Sequence, residues 1–125
     1  VYVMDVSMAN RLDRAFFAGS RASKNIFAHK PGFAIASARR AGTTATLDQL
    51  NKYFSISQMP IISGKYWNMV HGNNQAEVLQ DQEGLQNLTV LAKNLSWHLK
   101  CKECAEKSGI NPPENTTIIR TNFIR

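Results

Sequence analysis

Two short apolar runs with an amphipathic helical segment between them constrain this chain more than any other feature. Phe33-Ala34-Ile35-Ala36-Ser37-Ala38 is compact and mostly apolar, and the turn signal Lys30-Pro31-Gly32 precedes it. Small and branched residues in such a run predict a strand covered on both faces, at the centre of a parallel sheet. The polar stretch Arg39-Arg40-Ala41-Gly42-Thr43-Thr44 follows, after which Leu47, Leu50, Tyr53 and Phe54 form one helical stripe. Met59-Pro60-Ile61-Ile62-Ser63 is the next strand, with its proline at the start, where a missing amide donor is tolerated. Strand, helix and strand in that order predict an α/β fold on a parallel, right-handed sheet.

The flanking segments extend the pattern. Leu12, Ala15 and Phe16 predict a short helix over Asn10 to Phe17, and Gly19-Ser20-Arg21-Ala22-Ser23 reads as a loop. A long helix is expected from Glu77 to Ser108, with Leu85, Leu88, Ala92, Leu95 and Leu99 tracing one face. Its acidic start (Glu77, Asp81, Glu83) and basic end (Lys100, Lys102, Lys107) complement the helix dipole, and Gly109-Ile110 followed by Pro112-Pro113 is a stop signal. The chain opens on the apolar Val1-Tyr2-Val3-Met4, read as the end of a strand in an N-terminally incomplete fold. Residues 1–125 are one domain, and the apolar tail at 116–125 is expected to pack on a neighbouring subunit of a homo-oligomer.

A hydrophobic share of 43% with 19% charged residues excludes disorder by composition. The net charge of +6 favours an anionic ligand, a nucleic acid or an acidic protein surface, but the basic residues are scattered and no nucleic-acid recognition motif occurs. No apolar run is long enough to span a membrane and no signal peptide is recognisable, so a cytoplasmic protein is expected. Asn87-Leu88-Thr89, Asn94-Leu95-Ser96 and Asn115-Thr116-Thr117 match the glycosylation pattern by chance on this reading. Cys101 and Cys104 form a lone C-x-x-C with no second ligand pair, so no metal site is expected and Cys101 is taken as packed.

Ligands of parallel α/β sheets bind beyond the carboxyl ends of the strands. That rule selects three loops for a single rim: Val1 to Asp5, Ala38 to Thr43, and Gly64 to Gly72. Two arginines, Tyr2, Tyr66, Trp67 and several small residues suit a flat, electron-poor ring with polar edges.

The motifs narrow this further. Val1-Tyr2, Leu12-Asp13-Arg14, Lys30-Pro31-Gly32, Ala36-Ser37-Ala38-Arg39-Arg40-Ala41-Gly42-Thr43, Leu47-Asp48-Gln49-Leu50-Asn51 and Tyr66-Trp67-Asn68 occur in an order that resembles the NADPH-dependent FMN reductase family. Gln80-Asp81, Glu83-Gly84 and Thr121-Asn122-Phe123-Ile124-Arg125 are similar to that family too. The resemblance implies the C-terminal portion of a flavodoxin-like, doubly wound parallel sheet, and an FMN-dependent oxidoreductase passing a hydride from NAD(P)H to flavin and then to a small-molecule electron acceptor. It implies that Val1, Tyr2 and Val3 line the isoalloxazine, that Ala38, Arg39, Arg40, Ala41, Gly42 and Thr43 close on its pyrimidine edge, and that Tyr66, Trp67 and Asn68 shape the acceptor pocket. The flavin carries the chemistry, so no catalytic side chain is assigned.

The family's opening strand and phosphate-wrapping Gly-Ser-Pro-Arg loop have no counterpart here, and between Ser7 and Leu12 the chain is about two residues shorter than the analogy suggests. The alternative function is therefore a non-enzymatic remnant or interaction subunit without cofactor. Each site residue also has a plainer reading: Arg39 and Arg40 as solvated charges, Tyr66 and Trp67 as core aromatics, His71 as a turn residue, and Asp13 with Arg14 as a local ion pair.

Overall fold

A computed structural model describes residues 6–22, 25–114 and 119–124, and within them the chain is mixed α/β, with helices around a small parallel sheet. The elements are α1 (Val6–Arg21), β1 (Ala36–Ala38), α2 (Thr43–Ile56), β2 (Met69–His71), α3 (Gln75–Val78) and α4 (Gln82–Lys107). No helix among the described residues is long and apolar enough to cross a membrane.

The sheet is smaller than expected and its second strand lies elsewhere. β1 takes only the last half of the Phe33–Ala38 run, and β2 falls at Met69–His71, inside the segment read as loop. Of the expected strand at Met59–Ser63, Ile61 keeps an isolated parallel bridge to Gly32. The register offset is 29 residues at Gly32–Ile61 and 33 at Ala36–Met69, so four extra residues leave the second strand between the two pairings. The second strand is thus one interrupted edge, closed at one end by Gly32 N–H to Pro60 and at the other by Ala36 N–H to Asn68. Pro60 accepts there and has no amide to donate.

Alternation decides what each face does. Ala34 and Ala36 are buried with Leu47 of α2, against partly buried Leu50, Phe54 and Met69. Val70, one residue on from Met69, faces the opposite way, where α4 meets it at Gly84; a Cβ on Gly84 would come within 2.9 Å of Val70 Cγ1. The helices therefore cover opposite faces of the sheet. Phe33 and Ile35 stay exposed, correcting the expectation that this run is covered on both faces: the helix on that face, α4, packs on β2.

The helices correct three further expectations. α1 runs through Gly19, Ser20 and Arg21, read as loop, with the Ser20 hydroxyl donating to the Phe16 carbonyl at 2.6 Å. Phe16 packs α1 onto α2, its ring 4.6 Å from Phe27, 5.2 Å from Tyr53 and 6.2 Å from Phe54. The single long helix is divided, because Asp81 caps a new start by accepting the Gly84 amide at 2.9 Å. The inward stripe of α4 is Gly84, Asn87 and Leu91, not Leu85, Leu88, Ala92, Leu95 and Leu99, of which Leu99 is exposed. The C-terminal stop forms as expected: Gly109 adopts φ 79°, Gly109 N–H reaches Glu106 and Ile110 N–H reaches Ala105, a Schellman pair.

Candidate functional site

Two regions at the sheet hold the side chains singled out in the sequence. The first is the turn from β1 to α2. Arg39, Arg40 and Ala41 are exposed, and Gly42 sits at φ 96°, a left-handed conformation that turns the chain into α2. No side chain caps α2, and the first amides of an α-helix lack an intrahelical acceptor, so this N-terminus presents polar hydrogens beside two arginines. The Thr43 hydroxyl donates to the Met69 sulfur at 3.3 Å, which ties the turn to β2. Ala38 pairs with His71, and Gly72 N–H reaches the Ala38 carbonyl at 3.2 Å, so His71 and Gly72 share this rim. His71 is the last residue of β2 and not a turn residue.

The second region is the excursion from Ser63 to Asn68. It leaves the edge before β2 begins and carries Tyr66 and Trp67, which meet His71 of the rim in one cleft. The two rings meet edge to face, centroids 4.6 Å apart at 61°, and are 58% and 57% exposed, so they are not core aromatics. They line a cleft of ≈ 120 Å³ with Met69, His71, Asp81, Glu83, Gly84 and Asn87.

Three asparagines fasten this excursion. Asn68, expected at a pocket mouth, is buried; its Oδ1 accepts the Gly64 amide at 3.0 Å and its Nδ2 donates to the Ile62 carbonyl at 3.3 Å. Asn87 accepts the Tyr66 amide at 2.9 Å and donates to the carbonyls of Trp67 at 2.8 Å and Tyr66 at 3.3 Å. Asn94, seven residues further along α4, donates to the Ser63 carbonyl at 2.8 Å. By sequence alone Asn87 and Asn94 stand out only as chance glycosylation matches. What could have marked them is spacing: Gly84, Asn87, Leu91 and Asn94 share one helical face.

Asp81 accepts the His71 amide at 2.7 Å as well as that of Gly84. The Gly84 bond first, and the His71 bond second, hold its carboxyl below the usual carboxylate range. A carboxylate so engaged is a weak base at neutral pH. The cleft therefore offers exposed aromatic faces and acidic side chains, a surface for stacking and orientation.

The remaining expectations resolve individually. Asp13 accepts the Tyr53 hydroxyl at 2.5 Å and forms no ion pair with Arg14. This pair lines a separate groove of ≈ 590 Å³ between α1 and α2 with Phe16, Phe17 and Ile56. Cys101 and Cys104 are both exposed free thiols, so Cys101 is not packed: among the described residues no element covers the outward side of α4 at that point. No group of metal-ligating residues occurs among the described residues. Val1, Tyr2 and Val3 lie outside the described residues, as do 116–118 and Arg125 of the expected tail; Ile119, Phe123 and Ile124 of that tail are exposed.

No protein-family model, curated protein or solved structure matches this chain.

Proposed function

We propose that the chain belongs to a cytoplasmic, flavodoxin-like flavoprotein that takes a hydride from NAD(P)H onto FMN and hands electrons to a small-molecule acceptor. The observation that carries this reading is the β1–α2 turn: an uncapped helix N-terminus, a glycine at φ 96° and two exposed arginines at the carboxyl end of a parallel strand. This donor set fits the carbonyl-bearing edge of a flavin, which needs hydrogen-bond donors and positive charge. The chemistry supplied by bound FMN is the acceptance of a hydride and the delivery of electrons to a second acceptor. The residues of this chain bind and orient: the amides at the start of α2 and the charges of Arg39 and Arg40 stabilise negative charge developing at the pyrimidine edge. Tyr66 and Trp67 offer faces on which a planar acceptor stacks.

A second reading, an interaction subunit without cofactor, draws support from the exposed Phe33, Ile35, Ile119, Phe123 and Ile124, apolar surface suited to burial against another chain. A homo-oligomer is proposed on the same ground. Flavin absorbance in the purified protein, FMN titration and NAD(P)H oxidation with a quinone or ferricyanide separate the two. Absence of FMN binding with a stable oligomer favours the interaction subunit; saturable FMN binding with turnover favours the oxidoreductase.

A further inference from the structure

We infer that Asn87 is the positioning residue of the Tyr66–Trp67 pair, and that through it α4 sets the shape of the acceptor surface; the second clause rests on the flavoprotein reading. Three observations carry this. Asn87 is 6% exposed on the inward stripe of α4, where an apolar residue would ordinarily sit. Its amide engages both backbone groups of Tyr66 and the carbonyl of Trp67, much as a neighbouring strand would. The segment it holds is the four-residue surplus that lacks a strand partner, so these bonds replace ladder hydrogen bonds the excursion gives up.

Each hydrogen bond from Asn87 to the pair goes to its backbone, so Asn87 acts through the backbone that carries the rings. Gly64 and Asn68 close the loop on itself, and Asn94 holds only its first residue, Ser63, so neither places the aromatics.

The test uses the full chain with Trp97→Phe, so that Trp67 is the remaining tryptophan. Asn87→Asp keeps size and the acceptor for Tyr66 N–H but loses both donors and sets a carboxylate against two carbonyls. At neutral pH the near-UV circular dichroism of the aromatic pair should fall to about half or less while far-UV helix content is retained, since the cost of an unmet buried pair falls locally. Acidification should restore the band, because a protonated Asp carboxyl again donates to Trp67 while accepting from Tyr66. The other titratable groups of the cleft, His71, Asp81 and Glu83, are common to the parent chain, whose spectrum over the same pH range is the control. An unchanged near-UV band in folded N87D at neutral pH overturns the inference.

If N87D does not fold, amide exchange in the parent chain decides: Tyr66 N–H protected at least as well as the mid-helix amides of α4 supports the inference, and exchange at the free-peptide rate overturns it. Where FMN-dependent turnover is present, N87D should raise the KM for a quinone about tenfold with kcat changed less than about twofold. A spectroscopic change without any flavin turnover leaves the positioning role standing and removes the flavoprotein reading alone.

Discussion

The carboxylate of Asp81 accepts the amide hydrogen of His71 at 2.7 Å, joining the start of α4 to the last residue of β2. The same side chain caps α4 through Gly84, so one residue fixes both a helix start and its position against the sheet. Asp81→Ala should cost about 1 to 2 kcal/mol in urea unfolding. The folded carboxyl releases its proton more readily than the unfolded one, so its contribution is present at neutral pH and lost as pH falls through the lowered pKa. Asp81→Asn should therefore flatten the acid limb of the stability profile; an acid limb as steep as the parent's would show that Asp81 does not carry it.

Gly84→Ala tests the contact between α4 and β2. Alanine gains roughly 1 kcal/mol in helix propensity, but its methyl would sit 2.9 Å from Val70 Cγ1 and closer still to Asp81. Overpacking of this kind costs about 1 to 3 kcal/mol, so the variant should be less stable than the parent by thermal or urea unfolding. A more stable variant would mean that α4 can move away from β2 without loss.

On the flavoprotein reading, Arg39→Ala and Arg40→Ala should each lower the reduction potential of bound FMN by about 10 to 30 mV, the scale of a fraction of a kcal/mol to 1.4 kcal/mol for a two-electron couple. Both side chains are exposed, so folding stability should change by less than about 0.5 kcal/mol. Potentials unchanged in both variants would remove the β1–α2 turn from the chemistry.

The Tyr53 hydroxyl is pushed above the ordinary tyrosine range, first by its hydrogen bond to Asp13 and then by burial. A raised folded pKa means that the stabilisation is present below the unfolded tyrosine pKa and is lost as pH rises through the folded value. Asp13→Asn should bring the tyrosinate absorbance transition of Tyr53 back toward the free value, and Tyr53→Phe should cost less than about 1 kcal/mol. A titration identical with and without Asp13 would contradict the bond.

Cys101 and Cys104 are exposed on α4, so both should react with a thiol reagent in the folded protein, and Cys→Ser at either position should shift stability by less than about 0.5 kcal/mol. Labelling that requires denaturant would show this surface to be covered.

Features that depend on near neighbours are legible along the chain. The helical stripe of Leu47 and Leu50, the basic end of α4 at Lys107 and the stop at Gly109 are set by groups within about one turn of each other and appear where expected, whereas the acidic start falls at Asp81 and Glu83, with Glu77 in the separate α3. The parallel arrangement of the sheet was readable from the strand–helix–strand order. Which residues pair as β2, which stripe of α4 turns inward, and whether Phe33, Tyr66, Trp67 and Cys101 are covered emerge only in the folded molecule. Those outcomes rest on groups far apart in the chain. Asn87 must meet the backbone of Tyr66, 21 residues away, before a polar residue on the inward stripe is favourable. Apolar periodicity had pointed to the leucines beside it, because a buried amide is stabilised only by partners that periodicity does not record.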